Sequence, residues 1–319
     1  MLNSERNRVL TIIIAVILII IPLLIKSNYY IRLINLCGIY LLLTVGLNII
    51  TGYTGNPNMA QTAFWGIGAY ASGLLSIKLG LPFWLSLPLS GLVAAMIGVL
   101  VGIPTLKLKV FHFAIGTIAF GQIIQLFFKN LEITGGPAGL KSIPTPKIGN
   151  YVFDSDFSYY YIILFVIFIL ISLAYRLEHS KYGRALKAIK ESELALQMLG
   201  INVSYIKVLA FGVSTFYAGI AGSLYAHLFT YISPDTFSFF EAVKVLTMLY
   251  IGQAGSISGA IIGSIVLTIL PEALRFSKVY YMAIYGIGIV IIFAYLPNGL
   301  IGLTRHPKIR KYIKNLGLR

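Results

Sequence analysis

One stretch of the chain, residues 181–206, gathers ionisable side chains into a sequence that is otherwise almost continuously apolar. It reads KYGRALKAIKESELALQMLGINVSYI, and its apolar residues recur at helical spacing. This pattern predicts a short amphipathic helix, opened at Gly183 and closed by a left-handed residue at Gly200. A charged helix between membrane spans can dock a soluble partner or lie on anionic lipid. Its charged residues are Lys181, Arg184, Lys187, Lys190, Glu191 and Glu193.

A second set of polar residues interrupts two apolar runs, one in each half of the chain. Paired interruptions of this kind are typical of transporters with internal repeats and a pathway between them. Close helix packing explains the glycines, but amide side chains facing lipid are costly, so they are expected to face protein or a wet cavity. For Thr117 and Gln122, in the fifth span, the alternative is interhelical hydrogen bonding. The candidate pathway residues are Gly52, Gly55, Asn56, Asn58, Gln61, Thr117, Gln122, Gly252, Gln253 and Gly255.

The sequence lacks the motifs of catalysis, metal binding and nucleotide binding. It contains no GxxxxGK[ST] phosphate loop, no nucleophile elbow and no HExxH, and its single cysteine, Cys37, allows no intrachain disulfide. The four histidines are far apart, so no metal site is predicted. No acidic residue is expected in the middle of a span, since Glu241 and Glu272 lie near span ends. A pathway without its own energy source would draw its energy from a separate ATPase.

The composition indicates that most of the chain lies in a lipid bilayer. Hydrophobic residues make up 58% of the 319 residues and charged residues only 11%, and several apolar runs are long enough to cross a bilayer. The runs are continuous and do not alternate, which favours an all-α polytopic transmembrane bundle over a β-barrel. The net charge of +15 is interpreted as a topology signal, so no nucleic-acid partner is predicted.

The chain is predicted to form a single membrane domain, 1–319, with about ten crossings and both termini in the cytoplasm. Residues 9–177 would hold six spans, 178–206 the cytoplasmic helix, 207–297 four spans and 298–319 a basic cytoplasmic tail. The region 237–271 decides the count. Because the charged helix and the basic tail should lie on the same side, this region must cross twice or re-enter. It is therefore divided at its glycine-rich break, residues 252–255.

Several motifs, taken in order, resemble the M-type (LivM-like) permease subunits of branched-chain amino acid ABC importers. The segment ESELALQMLGI, with Glu193, Ala195 and Gly200, looks like the EAA-type coupling loop of such permeases. The resemblance extends over residues 38–302, which is most of the chain. Its further motifs are GLNIITGYTGN, AFWGIGAY, TIAFGQI, ITGGPAGLKSIP, SKYGRALKAIKE, AFGVSTFYAGIAGSLYA and YLPNGLIG.

The resemblance implies a transporter subunit in the cytoplasmic membrane that is not an enzyme and binds no cofactor itself. It implies a heterodimer with an H-type permease, two cytoplasmic ATPases that use ATP, and an extracytoplasmic substrate-binding protein. The loop with Gly135, Gly136, Pro137 and Gly139 would meet the binding protein. The residues that would dock the ATPase are Arg184, Lys187, Lys190, Glu191, Glu193, Ala195 and Gly200.

The chain departs from the family pattern at both glycine-rich breaks. A Ser-Leu-Gly-His-like segment usually follows GYTG, whereas here Asn58, Met59, Ala60 and Gln61 follow, and the usual Gly-Gly-x-Gly reads Gly-Gln-Ala-Gly at 252–255. The substrate is therefore open: a branched-chain or related amino acid, or urea, a short amide or another small polar solute. An ATP-independent channel or facilitator is the alternative from another class, and a membrane-embedded enzyme comes third.

Overall fold

The computed structural model describes residues 18–25, 27–149 and 151–273, with residues 286, 290, 299, 300 and 302. Of the predicted first span, 9–25, the structure describes residues 18–25. The predicted final span, 279–296, and the basic tail, 298–319, lie largely outside the described residues. From residue 28 onward the α-helices are α1 (Asn28–Leu47), α2 (Gln61–Lys78), α3 (Phe83–Thr105), α4 (Val110–Asn130), α5 (Asp156–His179), α6 (Lys181–Glu191), α7 (Glu193–Met198), α8 (Val203–Phe229), α9 (Phe239–Gly252) and α10 (Ile257–Ala273).

Five helical segments of the described chain are long and apolar enough to cross a membrane, and the protein is a helical, multi-pass membrane protein. α1 continues into a π-helical turn, Asn48–Gly52, so that the two form one segment of 25 residues. The five segments are Asn28–Gly52, Phe83–Thr105, Val110–Asn130, Asp156–His179 and Val203–Phe229.

Helix α8 is the centre of the bundle and packs closely against α2 and α3 through small residues. A Cβ atom added at Gly68 would lie 2.3 Å from the Gly219 Cα, and one added at Gly222 would lie 2.2 Å from the Trp65 carbonyl oxygen. A Cβ at Gly98 would lie 2.1 Å from the Thr215 hydroxyl. These glycines let the helices approach closely, which is how helices associate in lipid.

Helices α9 and α10 form a hairpin beside α1. α9 ends at Gly252 and α10 begins at Ile257. A Cβ at Gly263 would lie 1.9 Å from the Met248 carbonyl oxygen, so glycine is required where the two helices cross. The 14 residues of α9 extend about 21 Å, short of the roughly 30 Å hydrocarbon core. α9 is therefore a partial span.

The loop after α4 folds over the opposite end of the bundle from the charged helix. It contains short 3₁₀ turns, Glu132–Thr134 and Gly136–Ala138, and a two-stranded antiparallel ribbon of β1 (Lys147–Ile148) and β2 (Tyr151–Val152). Gly139 has a φ of +69°, and a Cβ there would lie 2.0 Å from the Ile232 carbonyl oxygen. Leu140 pairs with Ile232, so this loop is fixed to the segment that precedes α9.

The prediction of one helix from Gly183 to Gly200 is wrong, because the structure contains two helices there, α6 and α7, separated by Ser192. Ser192 has extended backbone angles and its hydroxyl accepts from the Ala195 N–H, so it caps α7. Gly183 does not open α6; Ser180 caps it, and Gly183 is buried against the Leu177 carbonyl oxygen. Gly200 has a φ of +76°, which agrees with its predicted left-handed conformation.

Candidate functional site

The surface of α6 and α7, called here the docking surface, combines exposed charges with exposed apolar side chains. One face of α6 is buried through Gly183, Leu186 and Ile189, and its charged residues face outward. On α7, Leu194 and Met198 are 64% and 79% exposed. Apolar side chains this exposed at the edge of a charged face are typical of a protein-binding surface. Of the predicted docking residues, Arg184, Lys187, Lys190, Glu191, Ala195 and Gly200 are exposed, and Glu193 is partly exposed.

Two ion pairs hold the docking surface to the bundle. Glu193 of α7 pairs with Lys207, whose side chain is buried in the first turns of α8. Lys187 of α6 pairs with Glu178 near the end of α5, at 2.7 Å. The two pairs connect α6 and α7 to the two long helices that flank them in sequence. Movement of the docking surface would therefore be transmitted to α5 and α8.

The docking surface also touches the first break, residues 48–60, which links α1 to α2. The Lys187 ammonium lies 5.2 Å from the centroid of the buried Tyr53 ring, a cation–π contact. Gly55 has a φ of +76°, and the position of a Cβ there lies 3.4 Å from the Lys190 side chain. α6 therefore lies directly against the chain where α1 ends.

The buried amides of the first break bond mainly within the break itself. The Thr51 hydroxyl accepts from the Asn58 N–H at 3.0 Å, and the Asn56 amide donates to the Thr54 hydroxyl at 2.9 Å. The Asn58 amide also donates to the Gln61 side-chain oxygen at 3.2 Å. The bond to Thr51 satisfies a backbone N–H of the irregular segment, and the other two satisfy buried side-chain amides, as polar groups away from water require.

Gln61 and Thr117 connect the first break to other helices. The Gln61 amide donates to the Leu43 and Ser214 carbonyl oxygens, each at 3.3 Å, and the Thr117 hydroxyl accepts from the Met59 N–H at 3.1 Å. In this conformation both side chains are buried and make interhelical hydrogen bonds. Gln122 is exposed on α4 and does not join the other candidate pathway residues.

The two breaks meet, and this meeting point is called here the junction: Asn48, Gly52, Gln253 and Gly255. The Gly255 N–H donates to the Asn48 side-chain oxygen at 2.7 Å. A Cβ at Gly52 would lie 1.9 Å from that oxygen and 2.6 Å from the Gly255 nitrogen. Glycine at position 52 is therefore what lets the two backbones touch.

Two polar atoms at the junction are buried and have no hydrogen-bond partner among the described residues, the Asn48 side-chain nitrogen and the Gln253 side-chain oxygen. Gln253 also has a φ of +122°, which residues other than glycine rarely adopt. Strained backbone and unpaired polar atoms tend to occur where a protein changes conformation or binds a ligand. The junction thus has the properties of a movable element.

The expectation for Glu241 is confirmed only in part: Glu241 lies in the first turn of α9, near a helix end, but that end lies beside the middle of another span. Glu241 accepts a 2.8 Å hydrogen bond from the Tyr40 hydroxyl, and Tyr40 is twelve residues from each end of the 25-residue segment Asn28–Gly52. Lys244 is 3.4 Å from the same carboxylate. The sequence reading placed Glu241 at a span end because it began a full crossing at residue 237, where the structure has a partial one.

Sequence reasoning also missed residues whose roles depend on tertiary contacts. Asn48 and Tyr53 lie in the motif GLNIITGYTGN without being singled out there, and Lys207 lies in none of the motifs; their partners in space distinguish all three. For Glu241 and Lys244 a signal existed, since two opposite charges three residues apart in an apolar run share one helical face. Within the described residues no group of histidine, cysteine and carboxylate side chains could hold a metal ion.

Comparison with known proteins gives a consistent family of relatives. The profile of a family described as "Branched-chain amino acid transport system / permease component" matches residues 29–294. The high-affinity branched-chain amino acid permease LivM of Salmonella typhimurium is 34% identical over 84% of this chain and 68% of its own length. LivM of Escherichia coli is 34% identical over 85% and 69%. LivH of Escherichia coli is 25% identical over 87% and 95%. No solved structure matches the chain.

Proposed function

The chain belongs to the branched-chain amino acid transport permease family, and from this membership we propose how its parts work in an ATP-driven importer. It is a membrane permease subunit of an ABC importer. The proposed substrate is a branched-chain amino acid, the class named for its relatives. A related amino acid, urea, a short amide or another small polar solute is the alternative for the same machinery.

The proposed assembly contains a second, H-type permease, two cytoplasmic ATPases and an extracytoplasmic substrate-binding protein. The similarity to LivH as well as to LivM supports a pair of related permeases. The chain would lie in the cytoplasmic membrane as a single domain of about ten crossings, with both termini in the cytoplasm. It would bind no cofactor, and ATP would be bound and hydrolysed by the partner ATPases.

The observation that carries this proposal is the contact between the docking surface and the first break. An ATPase bound to α6 and α7 would press on Lys187 and Lys190, which lie against Tyr53 and Gly55. Tyr53 directly follows Gly52 of the junction. Movement of α6 would therefore reach the junction directly through Lys187 and Tyr53. A facilitator that works without ATP has no need of such a surface.

In the proposed cycle, closure of the ATPases on ATP moves α6 and α7, and the junction is the part of the pathway that yields. Within the part of the chain that the structure describes, a single side-chain hydrogen bond, from Gly255 to Asn48, joins the two breaks. Such a bond contributes about 0.5–1.5 kcal/mol net, so separating the breaks is within reach of nucleotide-driven movement. The long loop after α4, with Gly135, Gly136, Pro137 and Gly139, would receive the binding protein.

The first experiment is purification of the tagged chain in mild detergent, with mass spectrometry of the proteins that accompany it. Two ATPases and a second permease are expected. Leu194→Glu should release the ATPases, because it places a carboxylate on the apolar part of the docking surface. Ile148→Glu is the matched control, since Ile148 is 56% exposed at the opposite end of the bundle. Purification of the wild-type chain alone, with solute flux that needs no ATP, would favour the facilitator.

A further inference from the structure

Three ionisable or polar side chains, Tyr40, Glu241 and Lys244, form a compact group, called here the mid-span cluster. The Tyr40 hydroxyl donates to the Glu241 carboxylate at 2.8 Å and accepts from the Lys244 ammonium at 3.0 Å. Lys244 also lies over the Tyr40 ring, 4.3 Å from its centroid. The group has one negative and one positive charge, with a tyrosine that contacts both.

The cluster lies deep along the membrane-crossing direction. Tyr40 is at the midpoint of the segment Asn28–Gly52. Contacts further along the two helices keep the same direction, because Thr44 meets Met248 and Asn48 meets Gly255. α9 therefore begins beside the middle of α1 and runs with it toward the docking surface. Its first turn, which holds Glu241, starts at mid-span.

The charged side chains are only partly covered by the chain itself. The Lys244 and Glu241 side chains are 28% and 29% exposed, and their neighbour Phe240 is 82% exposed. A charged side chain facing lipid at mid-bilayer is costly, and such residues almost always face protein or a water-filled cavity. The exposed edge of the cluster is therefore unfavourable in lipid and suits a water-filled cavity or a protein partner.

The chemistry of the cluster suits a ligand with two opposite charges. Lys244 and Glu241 are 3.4 Å apart, longer than the roughly 2.7–2.9 Å of a strong charge-assisted bond. A carboxylate can thus approach the ammonium of Lys244 while an ammonium approaches Glu241. Urea and short amides have neither charge and would gain nothing from this arrangement.

We propose that the mid-span cluster binds the carboxylate and the ammonium of a zwitterionic α-amino acid on its way through the protein. Lys244 receives the carboxylate, Glu241 receives the ammonium, and Tyr40 holds both side chains in place. The inference rests on the proposed function and deepens it, because it selects an amino acid over the uncharged solutes.

The decisive variant exchanges the two charges, Glu241→Lys with Lys244→Glu. The exchange preserves an ion pair three residues apart but reverses its polarity along the pathway. In the reconstituted importer with loaded binding protein, Glu241→Gln and Lys244→Met should each lower leucine uptake roughly tenfold or more. The exchange should retain assembly and thermal stability while uptake stays low. Recovery of uptake to the wild-type rate would identify the cluster as a structural ion pair and overturn the proposal. Asp235→Asn, which removes an exposed pair with Lys129, is the matched control and should change nothing.

A second measurement tests the site without the ATPases. In the purified chain with Cys37→Ala, a maleimide would label Phe240→Cys at the edge of the cluster. Excess leucine should slow this labelling, and uncharged isovaleramide should not. Equal labelling rates with and without leucine would overturn the site even if the assembled importer transports leucine. If leucine slows the labelling but the chain co-purifies with no ATPase, the proposed function is contradicted and the site stands.

Discussion

Lys207, buried in the first turns of α8, is neutralised by Glu193 of α7, the residue that sequence reasoning assigned to ATPase docking alone. The Lys207 side chain is 5% exposed and that of Glu193 44%. A buried ammonium without its partner is costly, so Glu193 has a structural role whatever it contacts in a partner. Substitution of Glu193 therefore changes the attachment of α7 as well as any docking contact.

Glu193→Lys should destabilise the chain, because it places a second ammonium against the buried Lys207. The expected cost is about 1–3 kcal/mol, between an exposed pair and a fully buried one. Thermal unfolding in detergent measures it. Glu191→Lys makes the same charge change on an exposed residue two positions earlier and should leave the midpoint unchanged. Equal midpoints for the two variants would mean that the Glu193–Lys207 pair contributes nothing.

Lys187→Met should uncouple ATP hydrolysis from uptake, because it removes the cation that links α6 to the Tyr53 ring and to Glu178. Uptake per ATP hydrolysed in the reconstituted importer is the quantity to measure, and it should fall. Lys187→Arg keeps both contacts and should retain the ratio. Lys181→Met, on the same helix, is the control for loss of a positive charge. An unchanged ratio in Lys187→Met would show that the cation–π contact does not transmit movement.

Sequence reasoning recovered the elements that depend on local pattern. Continuous apolar runs predicted the five long helices, and Gly200 was predicted to close the charged region from residue type alone. The division of that region at Ser192 was missed, because a serine cap within an otherwise helical pattern looks like another polar position. The depth of Glu241 was missed for a different reason: hydropathy gives the length of an apolar run but not the depth at which a partial span such as α9 begins.

Gly52→Ala should disrupt the junction. Its Cβ would lie 1.9 Å from the Asn48 oxygen and 2.6 Å from the Gly255 nitrogen, so the Asn48 side chain must turn away and lose its bond to Gly255. Overpacking of about 1–3 kcal/mol and a lost bond of about 0.5–1.5 kcal/mol should lower the unfolding midpoint and the uptake rate. Gly116→Ala is the control, since its nearest neighbour would be 4.0 Å away. If Gly52→Ala behaves like Gly116→Ala, the two backbones do not touch in the working protein.

Gly255→Leu should lower the rate of transport while the docking surface stays folded and binds the ATPases. Gly255 has a φ of +91°, and a side chain there would enter the contact with the Gly52 carbonyl oxygen at 3.3 Å. Uptake by the reconstituted importer should fall sharply while the ATPases remain bound, because the docking surface is untouched. Co-purification with the ATPases is the control measurement. Normal uptake with leucine at position 255 would mean that the junction opens without close backbone contact.

Gln253→Gly should stabilise the chain. Glutamine at a φ of +122° costs about 1–3 kcal/mol of strain, and glycine removes it, although glycine loses about 0.5–1 kcal/mol more on folding. The change also removes a side-chain oxygen that is buried with no partner in the described part of the chain, a further gain. Gln253→Ala removes the amide but keeps the strain, so the unfolding midpoints should rise in the order glutamine, alanine, glycine. A midpoint for glycine below that for alanine would mean that the backbone at position 253 is not strained. A fall in uptake that accompanies the gain in stability would identify the glutamine as a residue retained for transport at the expense of stability, since stored strain favours separation of the two breaks.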